Sequence, residues 1–379
     1  MESRRKIIRS FVWATAFACL LCIGFNSVAL AESDKLAVRV MTRNVDAGTD
    51  LQYVAGAQTI DDFVAGVLST IAEVDASNIA ARAKRLAAEI TQTKPDLIAL
   101  QEVTYWDIED NSGHRIYDQL QLLRNALHKA GQHYAVAAIQ TLTDLPVEIP
   151  GLFNVRFTDF NAILVRTDLP PGHLMVLGSE THLYENFLTY YPAGNELAAP
   201  NGWMAIDVKI RGSRFKFANT HLLSALPGDY FDATAAVQLA QADELLDGLS
   251  GSRLPIILAG DCNSAAEPYK YYPSDATSSY GYIAARFLDA WDAIHPSDHG
   301  YTWPLFWEDW MSGDSVAPFE RIDHIFSKGP MPLSIKHTGT SPNSKGMYAS
   351  DHVGVVADFE LETQHPDKRK CPDRPKGRP

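Results

Sequence analysis

The 379-residue chain carries 33 Lys and Arg against 46 Asp and Glu, a formal net charge of −13. A surface this acidic repels phosphate backbones and anionic membranes, so composition counts against an electrostatic nucleic-acid binder. With four cysteines in the whole chain, the fold does not rest on a disulfide framework.

The chain begins with a positive stretch, Arg4, Arg5, Lys6 and Arg9, followed by apolar residues 11–25 and then Ala29-Leu30-Ala31. This is the pattern of a secretory signal peptide cleaved after Ala31, which places the mature protein outside the cytoplasm, extracellular or periplasmic. The alternative is a membrane anchor, but the run is short for a span of about 20 apolar residues. Removing 31 residues from 379 leaves 348, with 29 basic and 45 acidic side chains and a net charge near −16. That length fits one domain with long loops, expected over residues 32–362. Cys19 and Cys22 leave with the leader. Cys262 and Cys371 read as a small buried hydrophobe and a free thiol. Residues 363–379 are rich in proline and basic side chains and read as a disordered tail.

Strands are expected over 36–44, 96–101, 134–139, 161–166, 203–210, 214–220, 255–261, 322–327 and 352–361, where β-formers alternate or run continuously. Residues 203–220 read as a hairpin turning at Arg211-Gly212-Ser213. Ile79, Ala83, Leu86, Ala87 and Ile90 repeat at helical spacing until Pro95 stops them. Helical patterns also cover 117–127 and the run Ala236, Leu239, Ala240, Leu245 and Leu246. Long loops are expected at about 45–78, 140–160, 167–200, 264–285 and 296–320. Strands mixed with helices and a hairpin imply a layered α/β sandwich.

Short polar motifs punctuate these runs, most of them where an apolar strand ends. They are Thr42-Arg43-Asn44, Gln101-Glu102, Thr220-His221, Gly260-Asp261-Cys262-Asn263, Arg321-Ile322-Asp323 and Ser350-Asp351-His352. Strand ends hand side chains to solvent, so two Asn, two His and four carboxylates gathered there suit a divalent metal and a phosphate group. A hard cation takes oxygen ligands and binds substrate phosphate directly. Glu102, after the apolar Leu97-Ile98-Ala99-Leu100, is the leading ligand. Asn44 either contacts the metal, its water or the phosphate, or caps a turn. Asp261 and Asn263 flank Cys262 and so point the same way in an extended chain. His221 and His352, when protonated, can each donate to a nonbridging phosphate oxygen.

Taken in order, these motifs resemble those of the endonuclease/exonuclease/phosphatase superfamily. Its members include DNase I-like nucleases, AP endonucleases, neutral sphingomyelinases and inositol-polyphosphate phosphatases. The similarity covers about residues 36–361, and Gly260-Asp261-Cys262-Asn263 matches the family's Gly-Asp-Phe-Asn with Cys for Phe. The resemblance implies a four-layer α/β/β/α sandwich of two mixed sheets and hydrolysis of phosphate esters with Mg2+, or Mn2+ or Ca2+. By the same resemblance Asn44, Glu102 and Asp351 belong to the metal site. Asp261 aligns the attacking water and Asn263 stabilises the phosphate. His221 and His352 bind phosphate oxygens, and Asp323 orients His352. Asp159 is either a second orienting carboxylate, for His221, or an exposed loop residue, and Asn161 is expected to be structural.

The expected activity is a phosphodiesterase of the nuclease or sphingomyelinase type. The alternatives are a phosphomonoesterase on inositol phosphates or nucleotides and a silent binding protein on the same fold. The substrate is left open among nucleic acid, nucleotide and phospholipid head group. No obligate protein partner is evident, and the chain is expected to be a monomer. The aromatic stretch 301–310, with Phe187, Tyr190 and Tyr191, either packs over the sandwich or touches a membrane.

Overall fold

Alternation along the first strand, β1 (Leu36–Asn44), sets the layering. Val38 and Val40 enter an apolar cluster that also holds Met204, Ile206, Phe217 and Ile257. Met41 faces the opposite way, into a cluster with Leu86, Ile90, Leu123 and Leu127. Both faces are covered, which is why the strand reads as a nearly continuous apolar run. The computed structural model describes residues 36–225, 231–266, 278–305, 316–344 and 346–361. The expected leader at 1–31, the tail at 363–379 and the aromatic residues 306–310 lie outside the described residues.

The first sheet contains β1, β2 (Leu97–Asp110), β3 (Gly113–Asp118), β4 (Tyr134–Ile149), β5 (Phe153–Arg166), β14 (Met331–Thr338) and β15 (Gly354–Leu361). Its order is β14-β15-β1-β2-β5-β4, with β3 paired to β2. The second holds β6 (Leu174–Leu183), β9 (Gly202–Ile210), β10 (Ser213–His221), β11 (Ile256–Asp261), β12 (Leu288–Asp289) and β13 (Asp323–Lys328), in the order β12-β13-β11-β10-β9-β6. A short ribbon, β7 (Leu188–Tyr190) and β8 (Leu197–Ala199), stands apart. Each large sheet contains one parallel pair, β1 with β2 and β10 with β11, so both are mixed.

Helices α3 (Ile79–Thr93) and α4 (Gln119–Lys129) cover the outer face of the first sheet. Helices α5 (Phe231–Ser250) and α6 (Ser279–Ala284) cover that of the second, through Ala242, Leu245, Leu249 and Ile283. The result is the expected four-layer α/β/β/α sandwich. Helices α1 (Gln52–Ala55) and α2 (Ile60–Ser77) build a satellite cluster against the far ends of β2 and β5, and α7 (Ala290–Ile294) completes the set.

Four stretches expected as loops are structured, one of them because α6 falls inside residues 264–285. Residues 45–78 contain α2, which opens on a capping box between Thr59 and Asp62. Residues 140–160 are the distal half of the β4–β5 hairpin, with Pro146 on an edge strand where its missing N–H does no harm. Residues 167–200 contain β6 and the β7–β8 ribbon.

Register delivers the motifs to one end. Asn44 lies opposite Gln101, His221 opposite Asp261, and Asp261 opposite Asp323. Gly260 permits the close β10–β11 approach, since a Cβ there would lie 2.2 Å from Thr220 O. Two buried arginines hold the turns behind this row. Arg43 bonds Glu89 Oε2 at 3.1 Å and donates to Asn44 O at 3.1 Å and His352 O at 2.6 Å. Arg82 donates to Val45 O at 2.9 Å and Asp46 O at 3.0 Å. Arg43→Met should therefore destabilise the protein by about 3 kcal/mol or more, because it leaves Glu89 buried without its cation. Urea unfolding measures this, and an unchanged midpoint would show that Arg43 does not brace the site.

Candidate active site

Glu102 reaches the site because its strand is bulged. The β2–β5 register shifts between Leu100 and Val103, and Glu102 adopts the left-handed conformation at φ 55°. The extra residue re-aims the side chain. Glu102 Oε2 accepts from Ala47 N at 3.0 Å. Its Oε1 accepts from Asn44 Nδ2 at 2.8 Å, and the same nitrogen donates to Asp261 Oδ2 at 3.0 Å. Asn44 Oδ1 accepts from Asp46 N at 2.9 Å. Asn44 therefore meets the site with its nitrogen end and holds two acids together, where the resemblance gave it a place at the metal.

Two histidines flank Asp261. His221 Nε2 is 3.8 Å from Asp261 Oδ2 and 3.9 Å from Glu102 Oε1. His352 Nε2 is also 3.8 Å from Asp261 Oδ2, while its Nδ1 bonds Asp323 Oδ2 at 2.8 Å. The expected Asp323–His352 pair is thus formed, and both residues are buried. Thr302 Oγ1 accepts from Asp323 N at 3.2 Å and fixes the start of β13. Asn263, at φ 46°, donates its backbone N–H to Asp261 Oδ1 at 2.8 Å and one amide hydrogen to Leu222 O at 2.9 Å. Asp351 lies beyond His352, its Oδ2 3.8 Å from His352 Nε2 and accepting from Trp303 Nε1 at 3.0 Å.

Burial and neighbours set the charges. Burial pushes the Asp261 carboxyl up to about 6, and Asp323 adds to the rise, while His352, His221 and Asn44 oppose it. Burial pulls the His352 ring down, but Asp323, Asp351 and Asp261 outweigh it and hold the ring well above the usual histidine value. The surrounding acids therefore favour the protonated ring.

Glu102, His221 and Asp261 place ligand atoms within 4.8 Å of one another, as do Asp261, Asp323 and His352. Either group could hold a metal ion. The two convergent carboxylate oxygens on the Asn44 amide make the first group the better fit to a hard cation. Asp351 belongs to neither group, although it was expected at the metal.

Asp159 does not orient His221. It sits on β5 opposite Thr104 and Thr143, and no ion pair joins it to the ring. His221 Nδ1 and Asp159 Oδ1 are both buried and without a hydrogen-bond partner. Burial and then the Glu102 charge push the Asp159 carboxyl well above its usual value.

Sequence reasoning gave no role to Trp303, Asp46, Thr302 or Glu320. Burial raises Asp46 to about 8 and Glu320 to about 7. Trp303 belongs to the aromatic stretch whose role was left open, and its indole nitrogen meets Asp351. Arg321 is turned away from the site, to Asp289 and Asp292 at 2.6 Å each.

Asp323→Asn keeps the shape of the pair and removes its charge. The folded-state pKa of His352 should fall, so the protonated ring is lost at lower pH. The alkaline limb of the pH–rate profile should move toward acid. Asp323→Asn and His352→Ala should also be non-additive, because the two side chains act as a unit. Additive losses with an unmoved limb would reduce Asp323 to a brace for the turn.

Comparison with known proteins bears on the family and the fold. The sequence pattern of the Endonuclease/Exonuclease/phosphatase family matches residues 67–352. No curated protein matches the chain. A humanized TDP2 of D. rerio is 15% identical, with 86% of this chain and 99% of that chain covered and a TM-score of 0.53. An endonuclease/exonuclease/phosphatase from Beutenbergia cavernae is 21% identical over 86% of this chain and 72% of that one, also at 0.53. A protein of the same family from Leptotrichia buccalis is 18% identical over 86% and 99%, at 0.50. At these identities the structures speak to the fold alone. The sequence match spans most of the chain and runs through the site residues from Glu102 to His352, so this protein belongs to the endonuclease/exonuclease/phosphatase family.

Proposed function

We propose that the protein is a secreted phosphodiesterase that hydrolyses its substrate with the aid of a divalent cation, Mg2+ or a similar ion. The observation that carries this reading is the convergence of Glu102, His221, Asp261 and the Asp323–His352 pair on one strand-end cluster. The leader-like sequence of residues 1–31 supports export.

Glu102 is the side chain that would hold the cation, with Asp261 beside it. The cation supplies charge neutralisation at the phosphate and a more acidic water. Asp261 is mostly ionised above pH 6 and accepts a proton from the attacking water. Its Oδ1 is pinned by Asn263 N and its Oδ2 by Asn44, so the carboxylate does not turn. Asp323 holds His352 with Nε2 facing Asp261 and the adjoining space, where it donates to a nonbridging oxygen. His221 Nε2 faces the same space from β10. Such donors act most strongly as charge builds on the phosphate in the transition state.

Hydrolysis of bis-p-nitrophenyl phosphate with and without EDTA tests the reading. Turnover should require the cation and be restored by adding Mg2+. Glu102→Gln should weaken metal activation while leaving the protein folded. Asp261→Ala should lower kcat by about 100-fold or more. Full activity in EDTA, or an unchanged Mg2+ dependence in Glu102→Gln, would remove Glu102 from the metal site.

A further inference from the structure

Helix α5 covers the second sheet with apolar residues, but it also buries two glutamines. Gln238 and Gln241 stand three residues apart and so share one face of the helix. That face meets the two turns that leave the site. One turn follows His221 at the end of β10, and the other follows Asp261 at the end of β11.

Gln238 Nε2 donates to Leu223 O at 2.7 Å and to Asn263 O at 2.7 Å. Both partners are carbonyl oxygens, so the nitrogen end of the amide must face them, and both of its hydrogens are used. The oxygen end accepts from Ser279 Oγ at 3.0 Å, which keeps the amide from turning over. Gln241 Oε1 accepts from Leu223 N at 2.8 Å, so α5 holds Leu223 by its N–H and by its carbonyl. The two turns are tied to each other as well. Leu222 N donates to Asp261 O at 3.0 Å, and Asn263 Nδ2 donates to Leu222 O at 2.9 Å.

What this arrangement holds is the Asp261 carboxylate. Asn263 N donates to Asp261 Oδ1 at 2.8 Å from a left-handed backbone, φ 46°. Asparagine tolerates that conformation better than most residues, but it still prefers others unless its neighbours fix it. Gln238 bonds the carbonyl of the same residue, so one end of Asn263 is held by α5 while the other pins the acid.

We propose that Gln238 is a positioning residue, which keeps the turns after His221 and Asp261 at one separation and thereby keeps the Asp261 carboxylate aimed at the reacting space. Its effect on turnover rests on the phosphodiesterase reading above; its hold on the turns does not.

The test uses variants of the full-length protein. Gln238→Met keeps the length of the side chain and removes both donors, and Gln238→Glu also keeps the acceptor for Ser279 Oγ. Leu249→Ala, on the apolar face of the same helix, is the control for simple loss of stability. Native-state hydrogen exchange is read on peptides covering residues 220–224 and 260–265. Uptake there should rise in both Gln238 variants and not in Leu249→Ala. Ser279→Ala leaves Gln238 in place and frees its oxygen end, so it should give a smaller rise in the same peptides, and it carries the test if neither Gln238 variant folds. With bis-p-nitrophenyl phosphate and Mg2+, both Gln238 variants should lower kcat by about tenfold or more and change KM by less than about twofold. In an Asp261→Ala background Gln238→Met should cost little further, because the group it positions is gone. Unchanged uptake at the two turns overturns the proposal, whatever the turnover. Raised uptake with kcat unchanged, or an undiminished loss in the Asp261→Ala background, overturns the positioning role. Raised uptake in a protein whose unmodified form turns over no phosphodiester supports the hold on the turns and sinks the phosphodiesterase reading instead.

Discussion

Asp261 and Asp323 lie opposite one another on neighbouring strands, 0% and 1% exposed, and the surrounding site is arranged around that unfavourable pair. Two carboxylates in dry surroundings repel one another and lose their hydration. The structure answers with His352 on Asp323 and with Asn44 and two imidazole edges on Asp261. The consequence for stability has a definite sign. The folded-state pKa of Asp261 is raised, so its contribution is full below the ordinary carboxylate value and is lost as pH rises through about 6. The His352 pKa is raised too, so its contribution is full below the ordinary histidine value and lost as pH rises through the raised one. Both groups favour the folded site at lower pH, whereas the proton-accepting role proposed for Asp261 needs it ionised. The useful window is therefore the interval above about 6 in which His352 still holds its proton.

Holding that window open requires the two sheets to keep their spacing. A polar seam crosses the apolar layer near the site. Gln101 Nε2 donates to Asn219 Oδ1 at 2.7 Å, and Asn219 Nδ2 donates to Leu100 O at 2.9 Å and Ala162 O at 3.1 Å. All of these groups are buried, and a satisfied buried network admits one relative placement of its parts where an apolar contact admits several. Asn44, from the first sheet, then reaches Asp261 in the second. Gln101 and Glu102, adjacent in sequence, thus divide the work: one locks the sheets and the other serves the chemistry.

The sequence was legible where both faces of a strand are buried. β1, β9, β10 and β11 give apolar runs whose ends could be placed within a residue or so, and those ends carry the site. Legibility failed at the periphery. β6 exposes Met175, Val176 and Leu177, so its apolar residues do not mark a core face. The distal halves of β4 and β5 alternate with polar residues over one covered face and read as loop. Helix α2 had a local signal in Thr59 and Asp62, which the loop assignment passed over. At the site, the Asp323–His352 pair followed from the family resemblance, but nothing local shows that Asn44 turns its nitrogen inward or that Trp303 meets Asp351. Those are tertiary facts. Asp159, left open between orienting His221 and an exposed loop, sits instead on β5 opposite Thr104 and Thr143, where burial and Glu102 raise its carboxyl.

The strongly acidic composition and a phosphate substrate are reconciled by how the cations are used. Arg43, Arg82 and Arg321 stand next to the motifs, and hydrogen bonds tie them to backbone carbonyls and to Glu89, Asp289, Asp292 and His324. They brace the turns that present the site. Among the described residues, the proposed positive charge for the substrate comes from His352, whose raised pKa favours the protonated ring, with His221 beside it and a cation that the acids could hold. An arginine-lined cleft would bind any phosphate backbone by charge alone. Under the proposed function, a cleft whose charge is concentrated on one imidazolium and one metal position would instead hold a single phosphate group, and leave discrimination to whatever the rest of the substrate touches.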